Sequence, residues 1–225
     1  MSNLQAGRRQ AAQFLRNAAT WLESLTTPEV TPSDVQVDMF YRLWRNLPPY
    51  DWAVAEDTPT LGEFTVYGWE KTTAEFQQAL IELAGRLQIE PIWLAAVISF
   101  ETGGTFSPSI RNAVGSGATG LIQFMPATAR GLGTTTDALA ALTAVEQLRW
   151  VEAYFQPYVG RMKSLEDTYM AVLWPAAVGR GREHVLFQSP TIEYRQNSGL
   201  DSNRDGRITA GEATDKVRQR IYRRE

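Results

Sequence analysis

The chain contains no cysteine and a single histidine, His184. Without cysteine there is no thiolate nucleophile, no thiolate metal site and no disulfide. One histidine cannot furnish a catalytic zinc site built on several imidazoles. Carboxylate chemistry is what remains. Membrane-length apolar runs are also missing, since none approaches the roughly 20 residues that a spanning helix needs. Met1 to Leu22 mixes polar and apolar residues and does not read as a secretory leader. Positive charge is in short supply: 22 Lys and Arg stand against 25 Asp and Glu, a net charge of −3. That balance argues against nucleic-acid binding through phosphates. The basic residues between Lys216 and Arg224 are too few to reverse it.

What is present is ordinary globular material, 44% hydrophobic and 21% charged. Its 225 residues are long for one compact domain and short for two large ones. Helical periodicity dominates, so the expected fold class is mainly α. Phe14, Leu15, Ala18, Leu22 and Leu25 mark a first helix that ends before Pro28. From Thr31 to Gly68 the chain is rich in proline and aromatics and carries no chemical motif. Residues 1–70 are therefore expected to pack or dock.

Regular helices return at Thr72, which with Glu75 reads as a capping box ahead of the stripe Phe76, Ala79, Leu80, Leu83, Ala84 and Leu87. Pro91 opens a helix that is apolar on every side as far as Phe100, the pattern of a buried central helix. Gly103-Gly104 stops it. Thr143 and Glu146 form a second capping box before a stripe running from Leu148 to Met162. Ser164 caps a further helix, broken at Pro175. Phe64–Tyr67 and Val185–Phe187 are the only strand candidates.

Glu101 ends the apolar helix. Burial disfavours a charged carboxylate and raises its pKa, which is what a general acid at neutral pH requires. On position alone a glutamate at a helix end reads as an ordinary surface group, since few such carboxylates have perturbed pKa values. The flanking sequence changes that reading. Glu101-Thr102-Gly103-Gly104-Thr105-Phe106-Ser107-Pro108 is followed by Gly117-Ala118-Thr119-Gly120-Leu121-Ile122-Gln123-Phe124-Met125-Pro126-Ala127-Thr128-Ala129. These two blocks resemble those of the lysozyme-like transglycosylases, the superfamily of soluble lytic transglycosylases and goose-type lysozymes. The resemblance covers about residues 76–181.

It implies a lysozyme-like helical domain over residues 71–190 that cuts the β-1,4 bond between N-acetylmuramic acid and N-acetylglucosamine in peptidoglycan. Glu101 falls on the catalytic glutamate. Gly120, Gln123, Phe124, Met125 and Tyr169 fall on positions at the glycan groove, although Met125 by its type reads as core-facing before sugar-facing. The third block departs from the family: Val172-Leu173-Trp174-Pro175-Ala176-Ala177 lacks the usual asparagine, which leaves anhydro and hydrolysed products both open. Asp167 is the second carboxylate nearest in sequence, but Ser164-x-x-Asp167 is also a capping pattern.

A separate motif lies in residues 191–225. Asp201-Ser202-Asn203-Arg204-Asp205-Gly206-Arg207-Ile208-Thr209-Ala210-Gly211-Glu212 fits an EF-hand loop, with side-chain oxygens from Asp201, Asn203, Asp205 and Glu212 and a backbone carbonyl from Arg207. The expected cofactor is a structural calcium ion. The loop reads as single, flanked by a short helix over Thr191–Asn197 and a longer one over Gly211–Arg223.

The expected partners are peptidoglycan strands, with no nucleic acid and no membrane insertion. The substrate lies outside the cytoplasm and no leader is read, so delivery by a phage or a secretion system is expected, with delivery machinery or an immunity protein as further partners. The alternative is a non-catalytic wall-binding or structural component of such an apparatus.

Overall fold

A computed structural model describes residues 61–112 and 115–224. The helix expected around Phe14–Leu25, and the aromatic stretch as far as residue 60, lie outside the described residues. The described residues belong to one compact unit. Among the described residues there are eight α-helices and four short strands, so this part of the chain is mainly helical.

Strand β1, Phe64–Val66, leads into helix α1, Ala74–Leu87. The cap lies one residue later than the sequence reading has it. Thr73 accepts from the Phe76 N–H at 3.2 Å, while the Thr72 hydroxyl turns back to the Trp69 carbonyl. Helix α2, Pro91–Glu101, starts on a proline whose missing N–H would have had no helical partner. Leu94, Ala95, Ala96, Val97, Ile98 and Ser99 are all fully buried. Each large apolar side chain so buried contributes about 1.5–3 kcal/mol. Four elements enclose α2 and account for its lack of a polar face: α1, β1, helix α6 (Leu165–Leu173) and helix α8 (Ala210–Arg218).

Helices α3 (Pro126–Gly131) and α4 (Thr136–Ala140) are short. Helix α5, Ala144–Phe155, opens with the expected Thr143–Glu146 capping box and packs on α1. It ends sooner than the stripe to Met162 suggests. Pro157 has no N–H to continue the ladder, and Gln156–Tyr158 tightens into a 3-10 turn. Met162 is nevertheless buried, beyond the helix.

The C-terminal region departs further from expectation. Strand β2, Val185–Gln188, pairs antiparallel with β3, Arg207–Thr209, bringing Phe187 opposite Ile208. Helix α7, Ile192–Asn197, follows β2. The helix expected through Arg223 stops at Arg218, and Ile221–Arg223 becomes strand β4, paired with β1. The edge of β1 supplies the backbone partners that draw the chain out of the helix. The Tyr67 N–H donates to the Arg220 carbonyl at 2.9 Å, and the Arg224 N–H donates to the Glu63 carbonyl at 3.0 Å. Residues 191–224 are thereby knit to the elements around α2.

Candidate active site

Glu101 is the last residue of α2 and is partly buried. Among the described residues its carboxyl takes part in no hydrogen bond or ion pair. Burial pushes its pKa up from 4.5 to about 7, and no neighbouring charge contributes. The carboxyl therefore holds its proton far higher in pH than an exposed glutamate does.

Two tyrosines share this environment. Tyr169, on α6, is 3% exposed and meets Phe100 edge-on with ring centroids 5.6 Å apart. Burial, and then the charge on Glu101, raise its phenol pKa. Tyr154, on α5, is pushed up to about 12 by burial, with Tyr158 and Glu101 adding to the shift. Its hydroxyl donates to the Ala171 carbonyl at 2.7 Å, tying α5 to α6. Tyr169, expected at the groove, and Tyr154 both feel the charge of Glu101. No motif marks Tyr154; the α5 stripe of Leu148, Val151 and Phe155 leaves it off the buried face.

The turn after Glu101 is rigidly held. The Thr102 hydroxyl donates to the Ile98 carbonyl at 2.7 Å and accepts from the Phe106 N–H at 3.1 Å. Gly103 and Gly104 both take left-handed backbone, at φ 60 and 77. A β-carbon on Gly104 would strike the Tyr67 ring. The Lys71 ammonium reaches the Gly104 carbonyl at 3.3 Å.

The second block forms a compact loop. Thr119 and Phe124 exchange backbone hydrogen bonds at 3.1 and 2.8 Å. Gly120 and Gln123 have φ of 84 and 52. The Gln123 amide donates to the Gly120 carbonyl at 3.1 Å and to the Ile110 carbonyl at 3.4 Å, so its N–H groups serve the loop itself. Phe124 is 2% exposed and lies edge-on to Tyr154, a core position and not a sugar-facing one. Met125 reverses the core expectation for its type, at 47% exposed. The residue that sequence reasoning missed here is Gln147. Wholly buried on α5, it accepts from the Leu121 N–H at 2.7 Å and donates to the carbonyls of Pro108 and Leu139 at 2.9 and 2.8 Å.

Asp167 is a structural carboxylate. It is 7% exposed, and its two oxygens accept from the Lys163 N–H at 2.9 Å and the Gly179 N–H at 2.7 Å. Ser164 caps α6 by accepting from the Asp167 N–H at 3.1 Å.

In the Asp201–Glu212 loop, Asp201 accepts from the N–H groups of Arg204 and Gly206 at 2.7 and 3.0 Å and from the Tyr194 hydroxyl at 2.7 Å. These donors, Tyr194 foremost, hold its pKa below the usual carboxylate value. Asn203 and Asp205 accept from the N–H groups two residues onward, each at 2.8 Å. Ile208 is fully buried. Glu212 is turned to Ser202 and Thr209, capping α8. Burial raises the Glu212 pKa, but the Thr209 and Ser202 hydrogen bonds outweigh it and leave the value lowered. Among the described residues no three Asp, Glu, His or Cys side chains are gathered into a metal cage. The donor set of Asp201, Asn203, Asp205, the Arg207 carbonyl and Glu212 is nevertheless all oxygen, the chemistry a hard cation selects.

No family model matches the chain, and no curated protein matches it.

Proposed function

We propose that this chain is a peptidoglycan glycosidase, a muramidase or lytic transglycosylase, on a lysozyme-like helical domain with an EF-hand-like C-terminal segment. The observation that carries the reading is Glu101: an unpartnered carboxyl at the end of a buried helix, with a pKa of about 7, inside the Glu-Thr-Gly-Gly block.

Glu101 protonates the bridging oxygen as the C1–O bond of the muramic acid residue breaks, and the aglycone leaves as an alcohol. The carboxylate so formed then takes a proton from the nucleophile that bonds to C1. With water as nucleophile the product has a reducing end; with the same sugar's 6-hydroxyl it is a 1,6-anhydro ring. Asp167 is committed to the Lys163 and Gly179 N–H groups, which supports a single-carboxylate mechanism. Asp201, Asn203, Asp205, Arg207 and Glu212 would hold calcium, which supplies structural cross-linking of the loop and takes no part in the bond cleavage.

The test is digestion of purified peptidoglycan followed by mass spectrometry of the soluble products. Released muropeptides are expected, and their ends, differing by one water, identify the nucleophile. Absence of release at any pH between 4 and 9 overturns the reading.

A further inference from the structure

Helix α2 ends in a closed turn. The Gly104 N–H donates to the Ser99 carbonyl at 2.7 Å, and inside that ring the Gly103 N–H donates to the Phe100 carbonyl at 3.1 Å. Glu101, the last helical residue, lies within this closure. Such a turn is ordinarily backed by an apolar contact between the residue carrying the outer N–H and the helix above it. Here that residue is a glycine and has no side chain to offer. Helix ends fray first, so a carboxyl at this place keeps its burial only while the turn stays shut.

Tyr67 supplies the missing contact from outside the helix. Its ring lies so close to the Gly104 α-carbon that a β-carbon there would overlap it. Its carbonyl accepts from the hydroxyl of Ser99, a fully buried residue, at 2.5 Å. Ser99 and Gly104, the two residues that close the turn, thus both meet Tyr67. Its neighbour Gly68 has its α-carbon against the Gly104 carbonyl. Tyr67 is fixed in turn by the residues around it. Its N–H donates to the Arg220 carbonyl at 2.9 Å. The Arg220 guanidinium and the Lys71 ammonium lie 5.3 and 5.2 Å from the centre of its ring. The residue is nevertheless 48% exposed, so core packing does not account for its fixed place.

We propose that Tyr67 is a positioning residue for Glu101: it clasps the turn after α2 shut and so keeps the carboxyl in its buried setting. Its part in catalysis rests on the glycosidase reading; the clasp does not. Burial sets the proton affinity of Glu101, and no ionisable group on α1, β1, α6 or α8 contributes to the shift. The groups that feel its charge are Tyr154 on α5 and Tyr169 on α6. Opening the turn therefore acts by letting water reach the carboxyl, and its proton is then lost at lower pH.

The experiment follows the Glu101 carboxyl by carbon NMR titration of the full chain labelled at glutamate, with Glu101→Gln assigning the signal. The wild type is expected to titrate at about 7. In Tyr67→Ala the midpoint is expected about one unit lower or more, while Tyr67→Phe, which keeps the ring, stays close to wild type. Amide exchange separates the clasp from general loosening. In Tyr67→Ala the Gly104 N–H is expected to lose protection at least about tenfold, and the Phe124 N–H, bonded to the Thr119 carbonyl, less than about threefold. Should Tyr67→Ala not fold, Tyr67→Thr suits the end of β1 and also lacks the ring. On peptidoglycan at pH 7, Tyr67→Ala is expected to lose kcat at least about fivefold with KM within about threefold, and its alkaline limb moves down with the carboxyl. A midpoint that stays with the wild type, or equal loss of protection at Gly104 and Phe124, overturns the clasp. A raised KM with kcat and midpoint unchanged overturns it too, and makes Tyr67 a substrate contact. If the wild type turns over no peptidoglycan, the glycosidase reading fails, and titration and exchange still judge the clasp.

Discussion

The side-chain amide of Gln147 lies so close to the α-carbon of Gly120 that a β-carbon there would overlap it. One buried glutamine joins the loop to α4 through three backbone groups: Pro108 and Leu121 in the loop and Leu139 in the helix. Gln147→Leu keeps the bulk and strands the Leu121 N–H and the Pro108 carbonyl, while the Leu139 carbonyl keeps the Leu142 N–H. At about 1–3 kcal/mol for each buried group left unpaired, a loss of about 2 kcal/mol or more is expected. Gly120→Ala is expected to lose about 1–3 kcal/mol through its left-handed backbone, and more through the collision. The collision disappears in Gln147→Ala. Urea denaturation of the two single variants and the double should therefore show coupling of at least about 0.5 kcal/mol. Strict additivity would mean that the two residues do not meet.

Glu101 links activity to stability. The folded state keeps its proton up to about pH 7, whereas an ordinary glutamate loses it near 4.5. Between those values the native state binds more protons than the unfolded chain, so stability falls as pH rises through that window and levels off above it. The loss is at most about 3 kcal/mol. Glu101→Gln carries no such penalty. It should match wild type at pH 4, exceed it in stability at pH 8, and lose at least about a hundredfold in turnover. Wild-type turnover should decline above about pH 7 as the acid ionises. Equal stability of the two proteins at pH 8 would show that Glu101 ionises freely.

Asp167 should behave as an anchor. Asp167→Ala removes the acceptor for two backbone N–H groups, one beyond each end of α6. A stability loss of about 2–4 kcal/mol is expected, since hydrogen bonds to a charged group contribute about 1.5–3 kcal/mol each. Asp167→Asn keeps one acceptor oxygen and should recover part of it. Turnover per folded molecule, taken well below the melting point, should stay within about threefold of wild type. A hundredfold fall in Asp167→Asn with an unchanged melting curve would make Asp167 a second catalytic carboxylate.

The helices around Glu101 were legible because local signals set them. Pro91 fixes a start, Gly103-Gly104 a stop, and the unbroken apolar run between them requires a central helix. The Thr143 and Ser164 caps read correctly for the same reason. What stayed hidden depends on partners distant in sequence. Gln147 looks like any polar residue on α5 until the 108–121 loop is placed over it. Strand β4 continues a helical pattern, and only pairing with Phe64–Val66, at the other end of the described sequence, makes it extended. The pairing of β3 with β2 is invisible too, because the calcium-type loop reads as single and β2 carries no such motif. Lys216 and Arg220 read as part of a basic tail; their separation from Arg218, which binds Glu166, appears only in three dimensions.

Calcium should stabilise the fold. The loop's own N–H groups and Tyr194 already hold Asp201 charged, so the loop is shaped before any ion arrives. Binding then adds stability by mass action, about 2.7 kcal/mol at a hundredfold excess over the dissociation constant. Because α8 packs on α2 and α6, and β4 closes on β1, that gain should spread through the described fold instead of stopping at residue 191. Chelation is therefore expected to lower a single melting transition, and added calcium to restore it. Asp201→Ala with Glu212→Ala should abolish the response. Magnesium should substitute poorly, since it demands a tight octahedron and gives up its water reluctantly, whereas calcium accepts a larger and less regular set of oxygens. At temperatures below the lowered transition, kcat should persist without the ion, because Glu101 lies outside the loop. A melting curve indifferent to chelation would remove calcium from the description. Loss of kcat without any thermal shift would instead put the ion at the scissile bond.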